Sequence, residues 1–367
     1  MPLAFPESHA RDARTMWITV IGCGYLGTAH AVCMANLGHQ VLAVDVDAEK
    51  IRSLRLGRAR FFEPCLPEAL EQAVDSGALG FSGSLADTAD FDDVHFVCVG
   101  TPPQEDSLAT DISSVAAVIG ELAPQLTRDC LVVGKSTVPV ATASELAVAL
   151  AGRIPVGVSV EIAWNPELVR KGSSPADALR PDRIVVGTTS ARADAILRRV
   201  YAPILADGVR YISTDLQTAE LAKVAANAFL ATKFSFIHAM ADLCEAAEAD
   251  VVTLAEVLGG DERIDHRGLS AGLGFRDGCL PKDLRALATR GAELRIAESM
   301  RLLHEVDAIN VGQRTRVVEL AQELAGGSVA DQNVAVLGAA FKPGIDDVRD
   351  SPTLAVAAAL ARADGCR

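Results

Sequence analysis

The sequence predicts an α/β protein with three parts: a doubly wound parallel sheet, a central helical domain built on one long helix, and a shorter α/β unit at the end. Three observations predict it. Apolar runs of strand length alternate with helix-like stretches across 17–212, the βαβ rhythm that a parallel sheet requires. A glycine-rich turn joins the first of those runs to the first helix. Residues 214–249 contain neither Gly nor Pro and carry apolar letters at helical spacing, which predicts the long helix.

Composition bounds the function. A chain of 367 residues, 50% of them hydrophobic, can build two or three domains, each with its own core. Only 4% are aromatic, which suits strands buried under helices better than an all-β sandwich. The net charge of −14 and the lack of a long basic run argue against nucleic acid as a partner, because phosphate contacts need clustered cations. An anionic small molecule needs only a few. Eight cysteines stand at 23, 33, 65, 98, 130, 244, 279 and 366 with no CxxC pair, so reduced core thiols in a cytoplasmic protein are expected, and no metal. No apolar run has the length to span a bilayer, so no membrane partner is expected. Residues 1–16 lack an apolar signal core and read as a disordered extension.

In chain order, WITVIG opens the fold at Trp17, GCGYLG follows, and a helix runs to Gly38. HQVLAVDVD is a second strand and AEKIRSLRLG a helix; further strands are expected at 94–100, 130–136, 156–165 and 183–188. After the long helix come shorter ones at 252–258, 282–292 and 297–325, then a strand at 332–341. Ser351 and Pro352 are placed as N-cap and first residue of a last helix ending near Gly365. The expected domains are 17–212, 213–328 and 329–367. One strand and one helix cannot bury a core, so the last domain reads as incomplete, with the helix face of Leu354, Val356 and Leu360 left bare.

Gly22-Cys23-Gly24-Tyr25-Leu26-Gly27 is a GxGxxG that follows a strand and opens a helix, the context of a Rossmann-like dinucleotide site. Gly22 permits the tight turn, Gly24 lets backbone N–H groups approach a pyrophosphate, and Gly27 lets the helix pack closely. Asp45, ending the second strand, would accept from the adenine ribose and repel a 2′-phosphate, so NAD is expected over NADP. Asp47 is the alternative for that role. Thr101-Pro102 and Thr137 to Pro139 end two further strands, where ligands of open α/β sheets sit.

A second segment, Gly272 to Asp283, puts Cys279 in a glycine-rich loop just before a helix. A helix N-terminus and the neighbouring Lys282 favour the thiolate, whereas Asp277 and Asp283 oppose it. The choice lies between a nucleophile and an inert loop thiol. On the long helix Lys223 and Asn227 share one face, either as a solvated strip or as a cation and an amide aimed at a developing oxyanion. Asn165-Pro166-Glu167 ends a strand with a carboxylate that can manage protons or cap a helix.

Together these residues resemble the UDP-glucose/GDP-mannose dehydrogenase family, and most closely its UDP-glucose 6-dehydrogenase branch. The matching stretches are VCVGTPP, STVPV, NPELVRKG, LRPDRIVVG, AELAKVAANAFLATKFSF, GLGFRDGCLPKD and LGAAFKPGIDDVRDSP, in family order from about Trp17 onward. The resemblance implies an NAD-dependent double oxidation of a nucleotide sugar, UDP-glucose to UDP-glucuronate, through a thiohemiacetal and a thioester on Cys279. It implies that Lys223 and Asn227 steady the sugar C6 oxygen, that Glu167 and Asp283 handle protons and water, and that Thr137 positions the water. It also implies NAD contacts from Gly22 to Gly27, Asp45, Thr101 and Thr137. Substrate contacts are implied from Gly274, Phe341, Lys342 and Arg349, and from Arg263 towards a neighbouring subunit of a homodimer.

The chain departs from the family pattern at several glycines: Cys65, Ala141, Asp265 and Arg276-Asp277 stand in their places, and Lys171 replaces an acidic residue. Glycine is needed where φ is positive or a ligand comes close. Asp277 would add repulsion towards a diphosphate. The family's C-terminal domain also continues through further strands and helices. Two other readings therefore stand beside UDP-glucose oxidation: the same chemistry on GDP-mannose or a UDP-N-acetylamino sugar, and an impaired relative that only binds NAD.

Overall fold

The structure, a computed structural model, describes residues 15–89, 91, 93–275 and 280–363. Most of the expected N-terminal extension, Arg276 to Cys279, and the expected end of the last helix near Gly365 lie outside the described residues. The described chain falls into two compact units divided between Lys223 and Val224, with Glu105–Ala109 belonging to the second.

The first unit is built on an eight-stranded sheet: β1 (Trp17–Ile21), β2 (Gln40–Val44), β3 (Leu79–Ser82), β4 (Val94–Val97), β5 (Cys130–Gly134), β6 (Val160–Trp164), β7 (Arg183–Gly187) and β8 (Arg210–Thr214). The spatial order is β3-β2-β1-β4-β5-β6-β7-β8. The order reverses between β1 and β4, which is where an open sheet of this kind offers a crevice. The first six strands are parallel, as expected. β7 instead joins β6 antiparallel, through the pair Trp164 and Gly187, and β8 runs parallel to β7. The link between β6 and β7 carries one six-residue helix, α6, too short to carry the chain back across the sheet, so β7 re-enters from the end at which β6 leaves.

Helices α1 (Tyr25–Asn36), α2 (Ala48–Arg55), α3 (Leu66–Asp75), α4 (Ser113–Leu122), α5 (Thr142–Ala151), α6 (Ser174–Leu179), α7 (Ala191–Val200) and α8 (Ala202–Ala206) complete this unit. Side chains alternate across each strand, so the sheet feeds two cores. Ile18, Val20 and Phe96 join Val32, Met34 and Leu70 in one; Ile21, Val97 and Val132 join Leu122 and Leu146 in the other. Gly134 has no side chain because a Cβ there would stand 2.1 Å from the Trp164 ring. Several strands stop short of their apolar runs, β4 at Val97 and β5 at Gly134. What remains of each run forms the loops of the site described below.

The long helix α9 (Leu216–Ala246) is present as expected and carries the chain into the second unit, with α10 (Val251–Gly259), α11 (Leu280–Glu293), α12 (Arg301–Leu324) and α13 (Pro352–Arg362). Ala228, Ala231, Phe275, Leu284, Ala288, Leu303 and Val306 form its main core. Ser351 caps α13, accepting from the Leu354 N–H at 3.3 Å.

Two expectations are corrected here. The apolar segment 332–341 is not a strand, and most of it is exposed. β-propensity alone forms no ladder, and the second unit holds no described strand for it to pair with. The face of α13 is also not bare: Val356 and Leu360 are buried with Val329 against Val317, Val318 and Ala321, three of them on α12, and only Leu354 stays 44% exposed. Among the described residues no helix is long and apolar enough to cross a membrane.

Candidate functional site

The glycine turn has the geometry that its sequence demands. Gly22 sits at φ +97°, and a Cβ there would meet Val99 at 2.9 Å. A Cβ on Gly27 would stand 1.8 Å from the Gly22 carbonyl oxygen, so α1 can approach the sheet only without one. A Cβ on Gly24 would meet nothing within 4 Å. That open space lies at the N-terminus of α1, whose cap residue, Gly24, makes no side-chain hydrogen bond to the first turn. Unpaired N–H groups and the helix dipole there favour a phosphate. The residues fit a dinucleotide pyrophosphate.

Asp45 and Asp47 have separate tasks. Asp47 is the N-cap of α2, accepting from Glu49 and Lys50 N–H. Asp45 accepts from the N–H of Cys23 at 2.8 Å and of Asp47 at 2.9 Å, and pairs with Lys50 Nζ at 2.7 Å. The carboxylate is thus tied directly to the glycine turn, the position a ribose-binding acid needs. Tyr25 turns away from this edge: its hydroxyl donates to buried Glu63 and lies 2.7 Å from Ser174 Oγ. Glu63 also accepts from the N–H of Gly172 (2.9 Å) and Ser174 (2.6 Å), so one carboxylate joins the glycine turn to the loop after Glu167. Lys171 Nζ lies 5.8 Å from the centroid of the Tyr25 ring.

The two Thr-Pro strand ends meet. Thr101 Oγ1 donates to the Thr137 carbonyl at 2.7 Å, and Ser136 Oγ donates to the Val99 carbonyl at 2.7 Å. Beneath them lies Lys135, only 4% exposed. Its Nζ is 3.2 Å from Glu167 Oε2 and 3.0 Å from Asn165 Oδ1. Burial opposes the ammonium charge, but Glu167, and after it Tyr201 and Cys98, more than restore it, so Lys135 titrates above the usual lysine range. Glu167 Oε1 accepts from Leu168 N–H at 2.8 Å and Val169 N–H at 3.0 Å. Glu167 caps its own loop, and its side chain stays 18% exposed.

In the second unit, Asn227 Nδ2 donates to Asp283 Oδ2 at 2.7 Å. Asp283 is 1% exposed in the first turn of α11, and its Oδ1 lies 3.2 Å from Lys282 Nζ. Lys223, four residues before Asn227 on α9, is half-buried, as is Asn227, so neither belongs to a fully solvated strip. α11 begins at Leu280, the residue after position 279; Cys279 itself lies outside the described residues. On the near side of that gap, Asn310 Oδ1 accepts from Phe275 N–H at 2.7 Å, and a Cβ on Gly274 (φ +97°) would stand 2.5 Å from the same oxygen. Arg263 is exposed and forks onto Asp261. Phe341 is buried, Lys342 Nζ lies 5.8 Å from its ring centroid, and Arg349 pairs with Asp347 at 2.7 Å.

The replaced glycines explain themselves. Cys65 (φ 63°), Ala141 (φ 83°) and Asp265 (φ 65°) all keep the left-handed backbone that a glycine would adopt freely. Of the described cysteines, Cys23, Cys33, Cys98, Cys130 and Cys244 are buried and Cys65 is exposed; all are free thiols. Burial pushes Cys33 and Cys98 up to about 12, which makes them poor nucleophiles.

Sequence reasoning missed Lys135, Glu63, Asn310 and Glu220, which accepts from Ala141 N–H (2.7 Å) and Ala143 N–H (2.6 Å). Each acts through a fold contact distant in sequence. The only local signal was a charged or amide letter inside an apolar stretch.

Residues 16–205 match the profile described as the UDP-glucose/GDP-mannose dehydrogenase family, NAD binding domain, and 217–311 match that family's central domain. The chain is 41% identical to a UDP-glucose 6-dehydrogenase of Pseudomonas aeruginosa over 351 residues, 95% of this chain and 77% of that protein. Among solved structures, a UDP-glucose dehydrogenase from the archaeon Pyrobaculum islandicum superposes with a TM-score of 0.92 at 37% identity, covering 98% of this chain and 82% of that one. A UDP-D-ManNAc dehydrogenase from Pyrococcus horikoshii gives 0.84 at 26% identity, covering 95% and 81%.

Proposed function

The chain belongs to the UDP-glucose/GDP-mannose dehydrogenase family, and from that premise we propose that it oxidises UDP-glucose to UDP-glucuronate in two NAD-dependent steps, through an intermediate on Cys279. The observation that carries this reading is the Asn227–Asp283 contact, which sets an amide and a buried carboxylate at the start of the helix that follows position 279. NAD, held by Gly22 to Gly27, Asp45, Thr101 and Thr137, supplies the hydride acceptor for each oxidation.

The chain's own residues do the rest. Lys223 and Asn227 steady the C6 oxygen as the alcohol loses a hydride and a proton to become an aldehyde. The Cys279 sulfur bonds to the aldehyde carbon and the former carbonyl oxygen takes up a proton, giving a thiohemiacetal. Loss of a second hydride and that proton leaves a thioester. Water adds to the thioester carbonyl, the carbon–sulfur bond breaks, and the thiol and a carboxylate are released. Glu167 and Asp283 take up and return the protons, and Thr137 orients the water. Covalent capture keeps the reactive aldehyde on the protein between the two oxidations.

The domain division that follows is a dinucleotide-binding domain at 17–212, a central domain at 213–328 that contributes Gly274 to the substrate, and a sugar-nucleotide segment at 329–367, in which Phe341, Lys342 and Arg349 belong to the nucleotide side. A homodimer is part of the reading, with Arg263 reaching the partner's substrate. Exposed apolar side chains on α9 and α10 support it, among them Phe229 (68%), Leu243 (59%), Val252 (64%) and Val257 (70%). The setting is cytoplasmic.

The test is NADH formation by the purified protein with UDP-glucose, GDP-mannose and a UDP-N-acetylamino sugar. Two NADH per UDP-glucose, abolished by Cys279→Ser, is the expected result. Two NADH from one of the other sugars alone would move the substrate, and NAD binding with no turnover on any would overturn the reading.

A further inference from the structure

A buried lysine is uncommon, and this one is fixed on every side. Lys135 follows β5 and its backbone N–H donates to the Val97 carbonyl at 2.9 Å. Of the groups around its Nζ, Asn165 is itself held in place. The Asn165 amide nitrogen of the side chain donates to the Val185 carbonyl at 2.8 Å, and its Oδ1 accepts from the Tyr201 hydroxyl as well as from Lys135. Asn165 N–H donates to the Gly134 carbonyl at 2.8 Å. β5, β6, β7 and Tyr201 at the start of α8 therefore form a rigid frame, and the ammonium group is its one mobile charge brought to rest.

The frame fixes how Glu167 is turned. A carboxylate offers about four acceptor positions. The N–H groups of Leu168 and Val169 fill two on Oε1, and Lys135 Nζ meets Oε2. Among the described residues three donors thus hold the group in one orientation, and about one of its acceptor positions is left over. The Lys135 side chain is 5% exposed and that of Glu167 18%, so the lysine is the more deeply buried partner and the carboxylate side the more accessible one.

We propose that Lys135 is a positioning residue for the oxidation: it holds the Glu167 carboxylate turned so that its remaining acceptor position receives one water. The water that hydrolyses the thioester is the molecule this arrangement suits. It must lose a proton as its oxygen bonds to the acyl carbon, and the thiolate leaving group must be matched by a proton on Cys279. A carboxylate fixed in orientation with an acceptor position open takes that proton without rearranging. This inference rests on the Cys279 thioester reading above. It goes beyond it by assigning the step to a cation two residues before Thr137, outside the side chains that meet the substrate.

Lys135→Met, in the full chain, separates this role from a merely structural one. If Lys135 acts through Glu167 on the hydrolytic water, steady-state turnover falls on the order of a hundredfold. A rapid burst of two NADH per subunit survives, and intact-protein mass spectrometry finds the sugar acyl group on Cys279. Loss of the burst in proportion to turnover, or unchanged turnover, overturns the proposal. If Lys135→Met does not fold by thermal melting, the double variant Lys135→Met with Glu167→Gln, which removes both charges together, gives the same comparison. Turnover equal to that of Glu167→Gln alone supports the assignment, and a further tenfold loss sinks it. Failure of the underlying reading looks different: wild-type protein that makes no NADH removes the chemistry, and Glu167→Gln that turns over normally removes the carboxylate's part and this proposal with it.

Discussion

The side-chain amide of Asn227, on the long helix, donates to the carboxylate of Asp283 at 2.7 Å, and Asp283 is all but fully buried in the first turn of α11. Asp283→Asn is nearly isosteric and leaves the Asn227 amide facing another amide. NADH production should fall by about 10²- to 10⁴-fold, while NAD binding by fluorescence titration stays within twofold. Comparable loss of NAD binding would show that Asp283 serves the fold rather than the chemistry.

The second prediction concerns the three side chains held where glycine belongs. An L-residue in the left-handed region costs roughly 1–2 kcal/mol, less for Asp, whose short polar side chain tolerates it. Glycine in turn loses more chain entropy on folding. Ala141→Gly and Cys65→Gly should each stabilise by about 0.5–1 kcal/mol, and Asp265→Gly by less. Urea titration of each variant checks the order. Ala141 is the most informative, because Glu220 clamps the N–H on either side of Thr142, and a variant that relaxes the strain keeps those bonds.

How far the sequence could have shown all this depends on range. The glycine turn was legible because its three glycines fall within six residues between a strand and a helix, and the left-handed φ of Gly22, the open space at Gly24 and the contact of Gly27 with Gly22 are all local, although Val99 also crowds Gly22. The long helix was legible from its period. Lys135 was not, since a lysine after a strand reads as solvated until Asn165, 30 residues away, and Glu167 are folded against it. The segment 332–341 misled for the complementary reason. Its letters suit a strand, but pairing is a property of two segments. α13 was misjudged because its cover, Val317 and Ala321, belongs to a helix whose facing side cannot be chosen from periodicity alone.

Acid should destabilise the first unit through its buried histidines. Burial, and then the charge of Arg128, holds His95 down at about 3; burial and Lys135 hold His30 well below the usual value; burial holds His39 lower as well. His39 is built for the neutral form, its Nε2 side on the Val200 carbonyl at 2.8 Å and its Nδ1 accepting from Met16 N–H. All three bind a proton more readily when unfolded. Their contribution to stability is complete above the unfolded value near 6.5 and declines as pH falls from there towards the folded value. Each fully neutral buried histidine loses up to about 1.4 kcal/mol per pH unit in that window. Urea midpoints measured from pH 7.5 to 5 should fall accordingly, and His95→Gln should flatten the slope. An unaltered slope would show that His95 finds water in the native state.

The cofactor preference can be tested on Asp45 without dismantling the turn. Both its oxygens are in use, one on Cys23 N–H and Lys50 Nζ and the other on Asp47 N–H, so Asp45→Ala would loosen the glycine turn together with the ribose contact. Asp45→Asn keeps a carbonyl oxygen that can still accept from Cys23 N–H, and gives up the charge together with the acceptor on Asp47 N–H. The carboxylate's repulsion of a 2′-phosphate is partly offset by Lys50 at 2.7 Å, so the discrimination it provides is modest. In the asparagine variant Lys50 is released to meet the phosphate. The ratio of kcat/KM for NAD over NADP should therefore drop by about 10- to 100-fold, from a change of roughly 1.4–2.8 kcal/mol. Lys50→Met added to that variant should restore part of the preference for NAD, since it removes the cation that the phosphate would use. A ratio that does not move in Asp45→Asn would place cofactor selection elsewhere on the strand edge.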